Sequence, residues 1–365
     1  MFSSSRGIRV ITAVLAVNLL VGCAAVAAKH TAASGAPTGS ASVPDVIAPL
    51  TGVNFTAGTN NFLTGPVVMG KIDNSPEARP QLGLNSTDVV IDEMVEGGLT
   101  RFLAIWHSNM PTEFGPLRSV RPMDPDLATA FGGIIAYSGG QAPFVKAMKA
   151  TGIYNADETS EVGKNTMERV TNRVAPHNLF VKAQNLQAAH LDLAAPSPFL
   201  NFLNDSKDVN AVSPAIQGTD VVSVKAQFPA ATALWTYDGN GLWLRTQDGK
   251  PLTDAADGKQ ITAVNVVVLR VAIDRSFRDR KYGYVPKTLL EGTGKGTAFA
   301  GGKALDVTWT KTQQNKYVRL TDSEGNDIRL LPGNTWFELV PSDVGKVTVT
   351  PVAAPAQTGT PKPKS

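Results

Sequence analysis

The sequence predicts an α+β fold: a mixed α/β N-terminal domain followed by a small, mostly-β C-terminal domain. Between residues 49 and 203, strand-like apolar runs alternate with helix-like ones. In 221–350 the pattern becomes a series of short alternating segments divided by Gly, Asp and Asn turns. A polar, turn-rich stretch at 204–220, NDSKDVNAVSPAIQGTD, separates the two textures as a linker. The chain is 42% hydrophobic and 18% charged, a globular composition with no internal repeat.

The N-terminus reads as an export signal over 1–22, with Arg6 and Arg9 ahead of an apolar run from Val10 to Val21. That run is shorter than the ~18 residues a spanning helix needs. Cys23 is the only cysteine, which excludes disulfides and thiolate metal clusters. The Ala-, Ser-, Gly- and Pro-rich stretch 23–48 reads as a flexible leash, and 351–365 as a disordered tail. A net charge of +3, without a basic run carrying interleaved aromatics, gives no nucleic-acid signature.

Within 49–203, TDVVIDEMVEGGLTRFLAIWHS (87–108) reads as two strands joined by Gly97-Gly98. MDPDLATAFGG predicts a short helix with Asp124 as N-cap and Pro125 at its first position. IIAYSGG is a buried strand, APFVKAMKATG a helix ending at Gly152, and VKAQNLQAAHL a further helix. Beyond 220 the segments ALWTYDGNGLWLRT, AVNVVVLRVAI, GKALDVTWTK and NTWFELV predict a small sandwich or open barrel. Its tryptophans, Trp235, Trp243, Trp309 and Trp336, read as core rather than as a carbohydrate platform. GTGKGT (292–297) lacks P-loop spacing and carries no nucleotide signal.

A two-residue turn at Gly97-Gly98 would set Glu96 opposite Leu99, Asp92 opposite Leu103 and Asp88 opposite His107. Asp88, Asp92, Glu96, Arg101 and His107 would then share one face, with Glu93 an intruder on the apolar other face. That face is either a solvated one with cross-strand ion pairs or the polar floor of a ligand site. Neighbouring segments add candidates. GKIDNSPEARP contributes Asp73, Asn74 and Arg79; FGPLRSVRP contributes Arg118 and Arg121; ERVTNRVAPHNLF contributes Arg173, His177 and Asn178. YSGGQAP runs from a strand through two glycines into a helix N-terminus, whose free N–H groups can hold an anion. No G-x-S-x-G elbow and no His pair at metal spacing is present, so no metal site is assigned. Mg²⁺ on Asp73 or Asp92 is left open, because it needs few protein ligands.

Several blocks together resemble the YerB-like family of two-domain bacterial lipoproteins. They are GKIDNSPEARPQLGL, TDVVIDEMVEGGLTRFLAIW, GPLRSVRP, APHNLF, NVVVLRV and LLPGNTWFELVP, in order over roughly 49–341. Leu20-Val21-Gly22-Cys23 resembles the lipobox, which implies lipid on Cys23, attachment to the membrane through that lipid, and an extracytoplasmic location. Phe180 and Thr87 stand where that family's pattern has Tyr and Ala. The resemblance implies architecture and location but no reaction. A fainter similarity, to the LytR-Cps-Psr phosphotransferases, would give Asp73, Arg79, Asp88, Arg118 and Arg121 roles in gripping a pyrophosphate with Mg²⁺. The Pro-Arg-Asp block of those enzymes is absent. The resulting expectation is an envelope lipoprotein with an arginine-lined cleft for an anionic wall component or a protein partner. The alternative is a Mg-assisted enzyme on an envelope polymer.

Overall fold

The structure, a computed structural model, describes residues 45–353 except 162, 204–210 and 281–282. The signal segment, Cys23, most of the leash, part of the 204–220 linker and residues 354–365 of the tail lie outside the described residues.

At the centre of the N-terminal domain run β1 (Val68–Asp73), β2 (Val89–Met94) and β3 (Thr100–Trp106), each buried along its whole length. Strands covered on both faces need no polar alternation, and the charged residues these carry, among them Lys71, Asp92 and Glu93, are buried with the apolar ones. β3 pairs antiparallel with both β1 and β2. α1 (Asp124–Ala128) precedes β4 (Ile134–Tyr137), which lies parallel to β1, and α2 (Ala142–Lys149) precedes β5 (Tyr154–Asp157), parallel to β4. Asp124 proves to be the first residue of α1 rather than its cap. Its carboxylate accepts from the Arg121 N–H at 2.5 Å and from Lys71 Nζ at 2.7 Å.

The C-terminal domain opens with the antiparallel meander β6 (Thr219–Gln227), β7 (Thr232–Tyr237) and β8 (Trp243–Gln247). A second set, β9 (Asn265–Asp274), β10 (Gly292–Ala300) and β11 (Lys303–Lys311), joins β6 through β11. β12 (Thr335–Pro341) lies parallel to β9 on one side and to β2 on the other, so the ladders run continuously from one domain into the next.

Alternation along β2 and β3 divides the core in two. One face carries Val90, Met94, Phe102, Ala104 and Trp106 against Trp235, Trp243 and Trp336. The other carries Val89, Ile91, Leu103 and Ile105 against Leu127, Phe144 and Met148 of the helices. Trp235, Trp243 and Trp336 are fully buried and Trp309 nearly so, as core residues should be.

The hairpin register differs from the expected one by a single residue. Glu96, Gly97 and Gly98 form a three-residue turn closed by Val95 N–H to Leu99 O at 2.8 Å, with φ 71° at Gly97 and 75° at Gly98. Asp92 therefore opposes Phe102, and Glu93 opposes Arg101. A one-residue slip sends alternate side chains to opposite faces. The face expected to hold five polar groups is split: Asp88 and Asp92 go to the tryptophan side, Arg101 and His107 to the helix side.

Candidate functional site

Beyond the carboxyl ends of the parallel strands β1 and β4 lies a cavity of about 400 Å³, the customary place for a site in an α/β sheet. Asp73 enters it from the end of β1, Thr100 and Arg101 from the start of β3, and Val95 and Glu96 from the hairpin turn. Arg118, Ser119 and Arg121 come from the following loop, and Gly140 and Gln141 from the start of α2. That loop is pinned on two sides. Asp73 N–H reaches Pro116 O and Arg118 N–H reaches Lys71 O, while Ser138 N–H bonds Arg118 O and Val120 N–H bonds Gly139 O. Its two arginines are thus presented from fixed backbone, although the segment has almost no regular structure.

The arginines are not equivalent. Arg121 Nε donates to Glu96 Oε2 at 2.7 Å. Burial pushes the Glu96 carboxyl up, but the Arg121 hydrogen bond and charge outweigh this and hold it below the usual carboxylate range. Arg118 Nε lies 2.9 Å from Asp73 Oδ2, an ion pair without hydrogen-bond alignment. His177 Nδ1 meets the same Asp73 oxygen at 2.7 Å. Arg101 has no carboxylate partner among the described residues. Its Nη1 donates to Ser119 O at 2.9 Å, and the residue is 8% exposed. Burial, with Arg121 and Arg118 nearby, pulls its guanidinium down to about 9, against the opposing pull of Glu96 and Asp73.

Of the candidates read from sequence, Asp73, Glu96, Arg101, Arg118 and Arg121 meet in this cavity, with His177 behind Asp73. The others lie elsewhere. Asn74 is buried, donating to Thr100 Oγ1 and accepting from Arg79 and Gln81. Arg79 also pairs with Asp248 of the C-terminal domain at 2.8 Å. Arg173 donates to the carbonyls of Ala78 and Pro80, and Asn178 accepts from Arg169. His107 is fully buried at the far end of β3, 3.2 Å from Gly65 O. Asp92 faces away from the cavity altogether. Ser75, Thr100 and Ser119 were not singled out from sequence, since hydroxyls in loops carry no distinguishing pattern. A separate apolar cavity beneath Phe131 and Phe199 measures about 30 Å³, too small for a ligand.

The family described as "Protein of unknown function (DUF3048)" matches this chain twice, its N-terminal domain over residues 50–195 and its C-terminal domain over 224–337. The chain belongs to the DUF3048 family. "Putative lipoprotein YerB" of Bacillus subtilis (strain 168) is 28% identical over 311 residues, 82% of this chain and 88% of that protein. The crystal structure of YerB protein from Bacillus subtilis matches with a TM-score of 0.69 at 24% identity, covering 83% of this chain and 99% of that one. The expected likeness to YerB and the expected α+β architecture both hold.

In this DUF3048 chain the remaining acids of β2 build two ion clusters, back to back across the sheet. On the tryptophan side Arg245 of β8 pairs with Asp92 at 2.7 Å and with Glu338 of β12, all fully buried. The Arg245 guanidinium sits 5.1, 5.2 and 4.8 Å from the rings of Phe102, Trp235 and Trp336. Burial and the neighbouring Glu338 raise the Asp92 carboxyl well above its ordinary value, against Arg245. On the helix side Lys71 pairs with Glu93 and Asp124, and burial brings its ammonium down to about 8 against the pull of Asp124. Both clusters fasten elements together, and the Lys71 cluster adjoins the cavity lining, since Asp124 also accepts from the Arg121 N–H and Glu93 lies opposite Arg101 in the ladder.

Proposed function

We propose that the chain is a lipoprotein held at the extracytoplasmic face of a bacterial membrane by lipid on Cys23. We further propose that its Arg101–Arg118–Arg121 cleft binds an anionic component of the envelope. Arg101 carries the binding reading. A guanidinium removed from water with no carboxylate partner is costly, and an oxyanion in the cavity would satisfy it with charge-assisted hydrogen bonds. The name of the Bacillus relative and the lipobox-like Leu20–Cys23 support the anchoring.

The enzymatic alternative requires Asp73 or Asp92 to hold Mg²⁺. Asp92 is engaged by Arg245 on the opposite face, and Asp73 already meets Arg118 and His177. Binding needs no such rearrangement, which favours it over catalysis.

Two experiments test these readings. Calorimetry of the full chain in detergent with a poly(glycerol phosphate) polymer should give saturable, salt-sensitive binding that Arg101→Gln weakens at least about tenfold. Equal affinity in the variant would remove the cleft from the account. Cys23→Ser should move the protein from the membrane pellet to the soluble fraction, and retention in the pellet would remove the anchor.

A further inference from the structure

The charge balance of the cleft narrows its ligand, on the reading that it binds an anion. Arg101, Arg118 and Arg121 line the cavity together with Asp73 and Glu96. Arg118 and Arg121 are each matched by a carboxylate at 2.9 and 2.7 Å. Among the lining residues one positive charge is left over, on Arg101; the Lys71–Glu93–Asp124 cluster behind them, one cation to two carboxylates, makes a second anionic charge in the cleft still less welcome. Beside it the N–H groups of Gly140 and Gln141, leading into α2, have no hydrogen-bond partner among the described residues. They add a partial positive charge and free donors without adding a full one.

The volume supplies the second half of the argument. About 400 Å³ is several times what a bare oxyanion fills, and falls in the range of small-molecule sites. Around the arginines the walls carry the hydroxyl of Ser119 and the amide of Gln141, while the Thr100 hydroxyl is taken by Asn74 and Asp92 and that of Ser75 is buried. We infer that the cleft takes a singly charged oxyanion carried on a polyhydroxylated body, a phosphodiester or a sugar carboxylate. A phosphate monoester, carrying close to two charges at neutral pH, would bring one that nothing in the cleft matches, in a partly desolvated place where unmatched charge is costly.

The test holds pH at 8 and compares three probes by calorimetry on the full chain in detergent: glycerophosphoglycerol, glucuronate and glycerol 3-phosphate. The diester or the carboxylate should bind at least about tenfold more tightly than the monoester, and whichever of the two is tighter names the source of the oxyanion. Glu96→Gln releases Arg121 and leaves a second uncompensated charge. It lies in the hairpin turn, partly exposed, so an unchanged melting curve would confirm that the variant folds. That variant should shift preference toward the monoester by about tenfold relative to the diester, since the added charge acts twice on a dianion. A monoester that binds best to the unaltered chain, or a Glu96→Gln variant with unshifted preference, overturns the single-charge inference while leaving anion binding intact. No binding by any probe, with Arg101→Gln indistinguishable from the unaltered chain, overturns both.

Discussion

Arg245 Nη2 stands 2.7 Å from Asp92 Oδ2, tying the C-terminal domain to a central strand of the N-terminal one. Glu338 completes the cluster from the strand that bridges them. Removing the cation strands two carboxylates in a dry core. Arg245→Met should therefore cost about 3–5 kcal/mol in denaturant unfolding. Asp92→Asn, which keeps the size and one acceptor, should cost less than half of that. Equal costs would mean that the cluster is not governed by unpaired charge.

The ion pair between Arg79 and Asp248 also joins the two domains but lies at the surface. Solvent screening leaves such pairs worth under ~1 kcal/mol. Asp248→Asn keeps the hydrogen bond to Thr232 N–H and tolerates the residue's φ of 52°. Its unfolding midpoint should move little. A loss comparable to that of Arg245→Met would contradict the ranking of buried over exposed pairs.

Gly97 and Gly98 both have positive φ, yet they should differ on substitution. A Cβ on Gly97 meets open space, whereas one on Gly98 would come 2.6 Å from Pro229 Cβ. Gly97→Ala should cost about 1 kcal/mol of backbone strain. Gly98→Ala should cost at least about 1 kcal/mol more, because the loop carrying Pro229 must shift. Thermal unfolding of the pair checks this, and indistinguishable melting would remove the proposed clash.

His107 should make stability depend on acid. Burial pushes its imidazole down to about 4, with the Gly65 carbonyl acting the other way. The unfolded ring takes up its proton near pH 6.5 while the folded ring resists, so stability present above pH 6.5 is lost as pH falls toward 4, about 3 kcal/mol in all. Asp88, raised by burial to about 6, works with opposite sign, losing stability as pH rises from 3.8 to 6. The difference between the unaltered chain and His107→Gln isolates the histidine. It should shrink in the variant's favour between pH 7 and pH 4, and a constant difference would refute the assignment.

The cleft was partly legible in the sequence. GPLRSVRP and YSGGQAP advertised fixed loops beside a strand end, and both reach the cavity. The hairpin misled because Gly97-Gly98 signals a two-residue turn, while Glu96 joins them in a three-residue one. That single residue moved Asp92 to the other face and turned Glu93 from an intruder into the partner of Lys71. Arg79 looked like a cleft arginine until Asp248 was found beside it, and no local pattern signals a partner so distant in the chain.

Apolar periodicity and turn chemistry, both properties of a few adjacent residues, determined where the strands and helices form and that two textures follow one another. Which charges meet was decided only by the tertiary structure. Arg245 reaches Asp92, and Arg101 is left without a carboxylate among the described residues, through strand register and the docking of one domain on the other. Those arrangements depend on packing across the whole sheet, where a slip of one residue reverses a face.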